Sequence, residues 1–505
     1  MPQRPRRLRI ETELGKLQTL PDGKRELAHM PGPGDVLVLG IGPDPASLAG
    51  LLPAGKAVYV IEAPLFKSQM SDAWHESVPS QWNIISEDML DDATIMDADI
   101  VLYRPGLRFF PSFWGPLVAR CRWLKTLASG SAEPRRYAVI PGTDADLLVP
   151  EVCDALERCG LRTRRIHPRQ AVALMPHLLV SERPALFFSV NFQGLDAYGE
   201  LYHLLRAAGV TVATWCVDNP FHLLSGLRSP YWREMPLFVT DASFIPQLAE
   251  HGATNVHHLP LAAWPQHFAA RAMDATDHGL SSRMVFVGRS GFPNRDSFFA
   301  GCAVPPLLSA NATDMIARGE RPDFRWWLEG LGIQSLWPGN EVRNAGFGAE
   351  TASLERRVHC LMEASRLPLT VYGDEDWKTL LPRAVEVRPV VDYYTTLPSI
   401  YRQAAWTLNV TSLLLPAGLT QRHFDVWASG GFLITDNSPG LSIFPKELTQ
   451  HIAFDRPEDI ARIAADMRPG TPRRDDLRRA WQHLILTEHT YEHRMRHTLD
   501  ILALA

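Results

Sequence analysis

The sequence has little of what marks secreted, membrane-spanning or nucleic-acid-binding proteins. It contains only six cysteines in 505 residues, and these are scattered without a CxxC pair. A disulfide framework and a cysteine-based zinc site are therefore not expected, and a reducing cytoplasm is the expected location. No apolar run is long enough to cross a membrane. The basic amino-terminal stretch lacks the apolar core of a secretory signal, so we expect no such signal.

An excess of positive charge is also missing. Lys and Arg number 51 against 56 Asp and Glu, which gives a formal net charge of −5. Such a balance provides no overall attraction for nucleic acid or anionic lipid. The length exceeds what one hydrophobic core usually organises, so two or three domains are expected. With 46% hydrophobic and 21% charged residues, the chain has the composition of a globular protein.

What the sequence does contain is a succession of strand-like and helix-like segments that predicts three α/β blocks. The first block holds DVLVLGIGPDPASLAGLL and then AVYVIEAP. This is a strand, a glycine turn, a helix and a strand that ends in an acid. Gly40, Gly42 and Glu62 resemble the start of a nucleotide-binding or methyltransferase unit, but GIGPDP lacks the third glycine. Since a short turn needs glycine for its conformation alone, a structural role is favoured, and a methyltransferase is the alternative.

In the second block, three strands run into polar loops. The residues that follow these strands are Asn191 and Asp196, Asp218 and Asn219, and Asp241 and Ser243. In a parallel sheet the carboxyl ends of the strands share one edge, so these side chains are expected to line one cleft. The alternative for each of them is an ordinary helix N-cap.

The third block begins with SRMVFVGRSGFPNRDSFF, in which a strand runs into a glycine-containing loop and then a helix. The loop is Gly288, Arg289, Ser290 and Gly291. Glycines let the backbone approach a ligand closely, and a helix start beside a cation suits a phosphate group. We therefore predict a phosphate-binding loop here.

The segment LTQRHFDVWASGGFLITDNSPG predicts a helix followed directly by a strand. At about 100° per residue, Arg422 and Asp425 share one face, opposite the aromatic Phe424 and Trp427. Gln421 and Arg422 lie near the predicted helix start, where anions are favoured. The alternative is a surface Arg–Asp pair on an ordinary helix.

The end of this helix is marked by a glycine pair, Gly430 and Gly431. One of the two is expected in the left-handed conformation that terminates helices. The residues Phe432 to Thr435 then have the apolar pattern of a short strand buried in a parallel sheet.

From about Pro134 to the end, the order of features resembles the glycosyltransferases of the spore-maturation CgeB-like type. These are GT-B enzymes related to group 1 glycosyltransferases. The resemblance covers about 370 residues and rests on several motifs in a shared order. The motifs are FFSVNFQGLD, TWCVDNPFHLLSG, FVGRSGFPNRDSF, TVYGDEDW, LPSIYRQAAWTLNVTS, LTQRHFDVWASGGFLITDNSPGL and HTYEHRM.

The resemblance implies an α/β fold with two facing Rossmann-like domains. Residues 131–275 would bind the acceptor, residues 276–470 the nucleotide-sugar donor, and helices in 471–505 would pack back on this core. Residues 1–130 lie outside the resemblance and are expected to form an additional Rossmann-like module. The expected donor is a UDP-sugar. Enzymes of this fold generally use protein cations to stabilise the leaving diphosphate, so no metal is expected.

The resemblance also implies roles for individual residues. The diphosphate would be bound by Gly288, Arg289, Ser290, Gln421 and Arg422. The ribose would be bound by Asp425, and the base by Tyr372, Gly373, Asp392 and Tyr393. If the reaction inverts the anomeric centre, a general base is needed near the acceptor hydroxyl, and Asp218 and His222 are the candidates. One departure concerns Ala417, which stands where many group 1 enzymes have a second glutamate.

These observations predict a glycosyltransferase that moves a hexosyl or related group from a nucleotide-sugar to a protein or glycan acceptor. The alternatives are an epimerase-like GT-B enzyme that turns over the nucleotide-sugar alone, or a non-catalytic scaffold with the same fold. His489 and His493 are four residues apart, but without an evident acidic third ligand we interpret them as packing or solvent-facing residues. The sequence leaves a homo-oligomer open.

Overall fold

The computed structural model of the chain describes residues 8–128, 134–269 and 279–504. The predicted domain boundaries after residues 130 and 275 lie outside the described residues, and the domain limits stay predictions. The chain divides into two compact units. The first comprises Met1–Thr143, Arg162–Ala213 and Gly226–Met235, and the second Asp144–Leu161, Thr214–Ser225 and Pro236–Ala505.

Strands and helices alternate along most of the chain. The strands are β1 (Arg9–Glu11), β2 (Leu17–Thr19), β3 (Leu27–Met30), β4 (Val36–Leu39), β5 (Val58–Ile61), β6 (Asn83–Ile84), β7 (Asp99–Tyr103), β8 (Pro134–Pro141), β9 (Arg162–Ile166), β10 (Arg183–Val190), β11 (Thr211–Cys216), β12 (Leu237–Val239), β13 (Val256–His258), β14 (Met284–Val287), β15 (Leu369–Tyr372), β16 (Glu386–Arg388), β17 (Trp406–Asn409), β18 (Leu433–Asp436) and β19 (Ala453–Phe454).

The helices are mostly short. They are α1 (Pro45–Ala49), α2 (Pro64–Lys67), α3 (Asp72–Ser77), α4 (Asp92–Asp97), α5 (Gly106–Phe109), α6 (Pro111–Ala128), α7 (Val149–Arg158), α8 (Ala171–Ser181), α9 (Glu200–Ala207), α10 (Pro220–Leu224), α11 (Ile245–Glu250), α12 (Pro265–Phe268), α13 (Arg295–Phe298), α14 (Pro306–Ala317), α15 (Phe324–Gly330), α16 (Val342–Ala364), α17 (Trp377–Leu380), α18 (Leu397–Gln403), α19 (Arg422–Ala428), α20 (Lys446–Thr449), α21 (Asp459–Asp466), α22 (Pro472–Glu488) and α23 (Tyr491–Ile501). Short 3₁₀ turns are Lys24–Glu26, Glu87–Met89, Pro168–Gln170, Pro230–Arg233, Ala242–Phe244 and Pro439–Ile443.

The first unit contains a five-stranded sheet with the order β3-β7-β4-β5-β6. Strand β3 is antiparallel to β7, and the other pairs are parallel. All four residues of β4 are buried, as expected for a central strand covered on both faces. The same unit holds the antiparallel pair β1–β2 and a run of strands in which β8 lies between β9 and β10, both parallel to it.

The second unit contains a six-stranded parallel sheet with the order β16-β15-β14-β17-β18-β19. Residues 214–216 of β11, together with β12 and β13, form a further parallel run. The predicted α/β class, with parallel Rossmann-like sheets and an additional amino-terminal α/β sheet, is confirmed. Across residues 8–128, 134–269 and 279–504, no helix combines the length and the apolar character that a membrane span requires.

The predicted helix–glycine–strand segment is observed, with small shifts of its boundaries. Gly430 follows α19 with φ +77°, in the left-handed conformation predicted for one of the two glycines. A Cβ on Gly431 would lie 2.5 Å from the carbonyl oxygen of Tyr401, so the second glycine allows close backbone packing. The strand begins at Leu433, one residue later than predicted. On α19, Trp427 stacks on Trp481 of α22 with a centroid distance of 5.0 Å.

In the glycine turn of the first block, the carboxylate of Glu62 bonds to the backbone of the turn itself. Gly40 and Gly42 have φ of +82° and +77°, and the ring of Tyr103 fills the space beside both. The Glu62 carboxylate accepts hydrogen bonds from the backbone N–H groups of Ile41 at 2.7 Å and Ala63 at 2.9 Å. This arrangement supports the structural interpretation of the turn, because the carboxylate is used within it.

We predict that Glu62→Gln changes the pH dependence of stability. Burial raises the pKa of Glu62 to about 7, although the two N–H groups lower it. A carboxyl with a raised folded-state pKa stabilises the fold at low pH, and this contribution is lost as the pH rises from about 4.5 to about 7. The free energy of unfolding of the wild type, relative to the variant, should therefore fall by about 3 kcal/mol across this window. Urea unfolding at pH 5 and pH 8 measures it, and a pH-independent difference would contradict the assignment.

Candidate functional site

A cavity of about 540 Å³ lies in the second unit, beside the loop that follows β14. It brings together five of the predicted site residues. Its lining consists of Asp218, Asn219, His222, Leu223, Gly288, Arg289, Gly291, Phe292, Pro293, Phe298, Glu350, Arg357, Ser412, Leu414, Leu415 and Arg422. The other predicted residues, namely Ser290, Tyr372, Gly373, Asp392, Tyr393, Gln421 and Asp425, are not part of this lining.

The glycine-containing loop is fixed through its backbone to the neighbouring strand. Gly288 donates its N–H to the carbonyl oxygen of Tyr372 at 3.0 Å and accepts from the indole Nε1 of Trp377 at 2.9 Å. The buried Ser290 donates its N–H to Oδ2 of Asp374 at 2.8 Å. The side chain of Arg289 is exposed. The loop is therefore held in place while its cation remains accessible to a ligand.

Arg357, on the long helix α16, clamps the same loop from another side. Its Nη1 donates to the carbonyl oxygen of Arg289 at 2.9 Å, and its Nη2 to that of Ser290 at 3.0 Å. Nη2 also donates to Oε1 of Glu350 at 3.4 Å, and Nε to the carbonyl oxygen of Ser353 at 3.2 Å. Most of the donors of Arg357 are thus used to hold the protein backbone.

Arg422 is the first residue of α19 and enters the cavity wall in a fixed orientation. Its Nε donates to Oδ1 of Asn409 at 2.8 Å, and its Nη1 to the carbonyl oxygen of Val287 at 2.7 Å. The guanidinium carbon lies 5.7 Å from the ring centroid of Phe286. Gln421 occupies the N-cap position of the helix. The predicted position of both residues at the helix start is therefore correct.

Asp425 is fully buried at 0% exposure, so the alternative of a surface Arg–Asp pair is wrong. Its Oδ2 accepts a hydrogen bond from the hydroxyl of Tyr393 at 2.5 Å, whereas the buried Oδ1 has no hydrogen-bond partner. Burial raises the pKa of Asp425 well above its usual range, and the Tyr393 hydroxyl opposes this rise. Helical periodicity placed the carboxylate correctly around the helix axis but could not reveal that this face is covered.

The residues predicted to bind the base are not in the cavity wall, and two of them, Tyr372 and Gly373, pack against the Gly288–Gly291 loop. Tyr372 is buried, and its hydroxyl accepts from Nη1 of Arg388 at 2.8 Å. A Cβ on Gly373 would come within 2.4 Å of the carbonyl oxygen of Gly288, so this glycine permits close contact with the loop. Asp392 is exposed and accepts hydrogen bonds from the hydroxyl and the backbone N–H of Thr395, which lower its pKa. The structure does not bring Asp392 to the cavity.

Three of the polar residues at the strand ends, Asn219, Asp241 and Asp196, act as caps, as the alternative interpretation predicted, and Asn219 also lines the cavity. Oδ1 of Asn219 accepts from backbone N–H groups at the start of α10, and its Nδ2 donates to the carbonyl oxygen of Leu414 at 3.0 Å. Oδ1 of Asp241 accepts from the N–H of Ser243 at 2.8 Å, and its Oδ2 accepts from the N–H of Ala417 at 2.9 Å. In the first unit, Asp196 caps the start of α9.

The two candidate bases differ strongly in environment. Asp218 is exposed at the cavity. His222 is surrounded by the rings of Phe298, Phe299 and Phe324 at centroid distances of 5.4 to 5.9 Å, and its buried Nε2 has no hydrogen-bond partner. Burial lowers the pKa of His222 to about 3, assisted by the charge of Arg343. The imidazole is therefore neutral at pH 7 and a weak proton acceptor.

Sequence reasoning did not identify Glu350 and Arg357 as site residues. Both come from AETASLERRVHC in the middle of α16, away from any strand end or glycine loop. Their separation of seven residues corresponds to about two helical turns, so they share one face. This spacing of a carboxylate and a guanidinium was the only available signal, and it is equally typical of a solvated helix.

The carboxyl-terminal part of the chain matches a known family. Residues 355–500 match the sequence model of a family described as glycosyl transferase-like. This match confirms the predicted resemblance for that part of the chain, which includes α19 with Arg422. The comparison with curated proteins found no match to the chain.

Solved structures with a similar arrangement include HepE of Anabaena in complex with UDP-glucose. It is 7% identical, with a TM-score of 0.44 over 74% of this chain and 100% of that chain. An α,α-trehalose-phosphate synthase (UDP-forming) from Burkholderia vietnamiensis is 12% identical, with a TM-score of 0.37 over 93% of this chain and 100% of that chain. At these scores the likeness carries no functional conclusion of its own.

We predict that His222→Leu reduces the sensitivity of the fold to acid. A histidine with a lowered folded-state pKa stabilises the fold above pH 6.5, and this contribution is lost as the pH falls towards 3. Between pH 7 and pH 5, the variant should therefore lose about 2 kcal/mol less unfolding free energy than the wild type. Urea unfolding at both pH values measures the difference. The exposed His75 provides the control variant His75→Gln, which should behave as the wild type, and equal losses in all three proteins would contradict the prediction.

Proposed function

We propose that the protein transfers a glycosyl group from a nucleotide-sugar donor to a protein or glycan acceptor, because residues 355–500 match the model of a family described as glycosyl transferase-like. The observation that carries the proposal is the 540 Å³ cavity, in which the Gly288–Gly291 loop, Arg289 and Arg422 meet. We take a UDP-sugar as the first donor to test and the cytoplasm as the site of action.

The cavity offers the groups that a diphosphate requires. Guanidinium groups form short, charge-assisted hydrogen bonds with phosphate oxygens and match their geometry. Arg289 is exposed at the loop, and Arg422 lines the same cavity. When the bond to the sugar breaks, negative charge develops on the leaving diphosphate, and fixed cations stabilise that charge most effectively. In the proposed mechanism these two arginines take this role without a metal ion.

The fixed orientation of Arg422 supports this assignment. A guanidinium carries five N–H donors, and the bonds to Asn409 and to the carbonyl of Val287 use two of them. The side chain is therefore already ordered before a ligand arrives, so binding costs little conformational entropy. The hydroxyl of Tyr401 also interacts with this guanidinium, and the N–H groups that then remain are suited to a phosphate oxygen. The ribose assignment of Asp425 stays a prediction, as do the base contacts.

For the acceptor hydroxyl, we propose Asp218 as the general base of an inverting reaction. A general base must lie where the reacting hydroxyl arrives, and Asp218 is exposed at the cavity. His222 lines the cavity too, but its low pKa and its phenylalanine surroundings make it a weaker proton acceptor. We assign His222 to the wall of the cavity.

A nucleotide screen tests donor binding. We expect a UDP-sugar, or the sugar of another base, to raise the melting temperature of the wild type in a screen of UDP, GDP, ADP, CMP and their sugars. Arg422→Gln should then weaken binding of the stabilising donor by about tenfold to 100-fold, because a charge-assisted hydrogen bond is lost. Calorimetry measures the affinity.

The exposed Arg462 provides the control variant, since its guanidinium is on the outer surface of α21. Arg462→Gln should bind the donor as the wild type does. A wild type that no nucleotide or nucleotide-sugar stabilises would contradict the proposed function, and unchanged affinity in Arg422→Gln would contradict the role of this arginine.

A second prediction concerns the proton transfer. Asp218→Asn should lower kcat by about 10²- to 10⁴-fold, the usual contribution of a general base, with donor affinity unchanged. Release of the nucleoside diphosphate in the presence of acceptor measures kcat. Asp314→Asn, at an exposed position on α14, is the matched control. A wild-type kcat in Asp218→Asn would show that this carboxylate is not the base.

A further inference from the structure

The cavity lining includes a carboxylate that diphosphate binding does not explain. Glu350 is 5% exposed and is part of the same wall as Arg357 and Arg422. A carboxylate repels phosphate oxygens, so its burial beside a diphosphate site costs free energy unless it has another partner. Its described hydrogen bond is a long one, 3.4 Å from Nη2 of Arg357 to Oε1. An ionised carboxylate has about four acceptor sites, so most of its capacity remains.

The hydroxyl groups of a nucleotide-sugar can occupy the remaining acceptor sites of the Glu350 carboxylate. A nucleotide-sugar carries hydroxyl groups on its sugar, and hydroxyl groups donate hydrogen bonds to carboxylates. Elsewhere in the lining, Phe292, Phe298 and Leu414 offer contacts to C–H groups, and the arginines offer only donors. The other carboxylate of the lining, Asp218, is exposed, whereas Glu350 is buried.

We infer that Glu350 accepts a hydrogen bond from a hydroxyl group of the donor's sugar and thereby selects for sugars that carry this hydroxyl. The inference rests on the proposed function, since it requires that the cavity binds a nucleotide-sugar. The cavity then has two chemically distinct parts. The cations at Arg289 and Arg422 bind the diphosphate, and the buried carboxylate on α16 binds the group to be transferred.

The contact with Arg357 keeps Glu350 in place for this role. Arg357 holds the carboxylate and the loop carbonyl groups at the same time, so the sugar-binding and diphosphate-binding parts share one support. Burial raises the pKa of Glu350, whereas the charges of Arg357 and Arg295 lower it. A sugar hydroxyl replaces the water that the buried carboxylate has lost, which is the reason for the expected gain in affinity.

The alternative is that Glu350 only positions Arg357, and affinity measurements with two probes separate the two roles. The probes are UDP and UDP-glucose, replaced by the corresponding pair if the nucleotide screen selects another base. Glu350→Gln should weaken binding of the sugar nucleotide by about tenfold to 100-fold, since the bond to a charged acceptor is lost. Binding of the nucleoside diphosphate should stay within about twofold, because the loop and its cations are retained.

Two comparison variants complete the experiment. Glu355→Gln changes an acid on the same helix whose carboxylate accepts from the hydroxyl of Thr313 and is not part of the cavity lining. It should bind both probes as the wild type does. Arg357→Lys removes the two-carbonyl clamp on the loop and should weaken both probes together.

A series of UDP-deoxyglucoses then identifies the hydroxyl. The wild type should discriminate against one member of the series by about tenfold or more, and Glu350→Gln should bind that member and UDP-glucose equally. Equal weakening of both probes by Glu350→Gln, or unchanged binding of both, would overturn the inference while leaving the proposed function intact. A wild type that binds neither probe, nor any other pair of the screen, would overturn both.

Discussion

The clamp of Arg357 on the carbonyl groups of Arg289 and Ser290 is the interaction on which the candidate site depends. A loop that is to present a cation to an anion must have its carbonyl groups satisfied elsewhere. Arg357 does this from a 23-residue helix, and Gly373 lets the neighbouring turn approach the loop closely. The loop therefore has a defined shape without a ligand, and this is the condition under which fixed charges favour the charge that develops in a reaction.

A second buried ion cluster fixes α16 to the six-stranded sheet. Asp436, at the end of β18, accepts hydrogen bonds from Arg321, from Nη1 of Arg356 at 2.9 Å and from the backbone N–H of Thr411 at 2.8 Å. Burial raises the pKa of Asp436, but the two arginines hold this pKa well below its usual range. Removing one partner of such a cluster is strongly destabilising, because a charge is left buried. Two neighbouring residues of α16 therefore have different roles. Arg356 anchors the helix to the sheet, and Arg357 anchors the loop to the helix.

The features that could be predicted from the sequence are those that depend on residues close together in the chain. A strand followed by glycines and a helix predicted the loop of Gly288 and Arg289 after β14, and a helix followed by a strand predicted the glycine pair after α19. Glu350 and Arg357 could not be found in this way, because about 60 residues separate them from the loop they contact and only tertiary packing joins them. For Asp425, periodicity gave the angle around the helix but not the burial. Trp481 of α22 covers one side of α19, and Tyr393 reaches the carboxylate on another.

The turn at Gly40 and Gly42 has a consequence for what the first unit can recognise. A ribose diol that entered this turn would meet a carboxylate already engaged by two main-chain amides, and the ring of Tyr103 lies against both glycines of the turn. Both obstacles belong to the resting fold and do not depend on a moving loop. The turn of the amino-terminal sheet is therefore already occupied by groups of the chain itself, and it keeps its shape without a bound molecule.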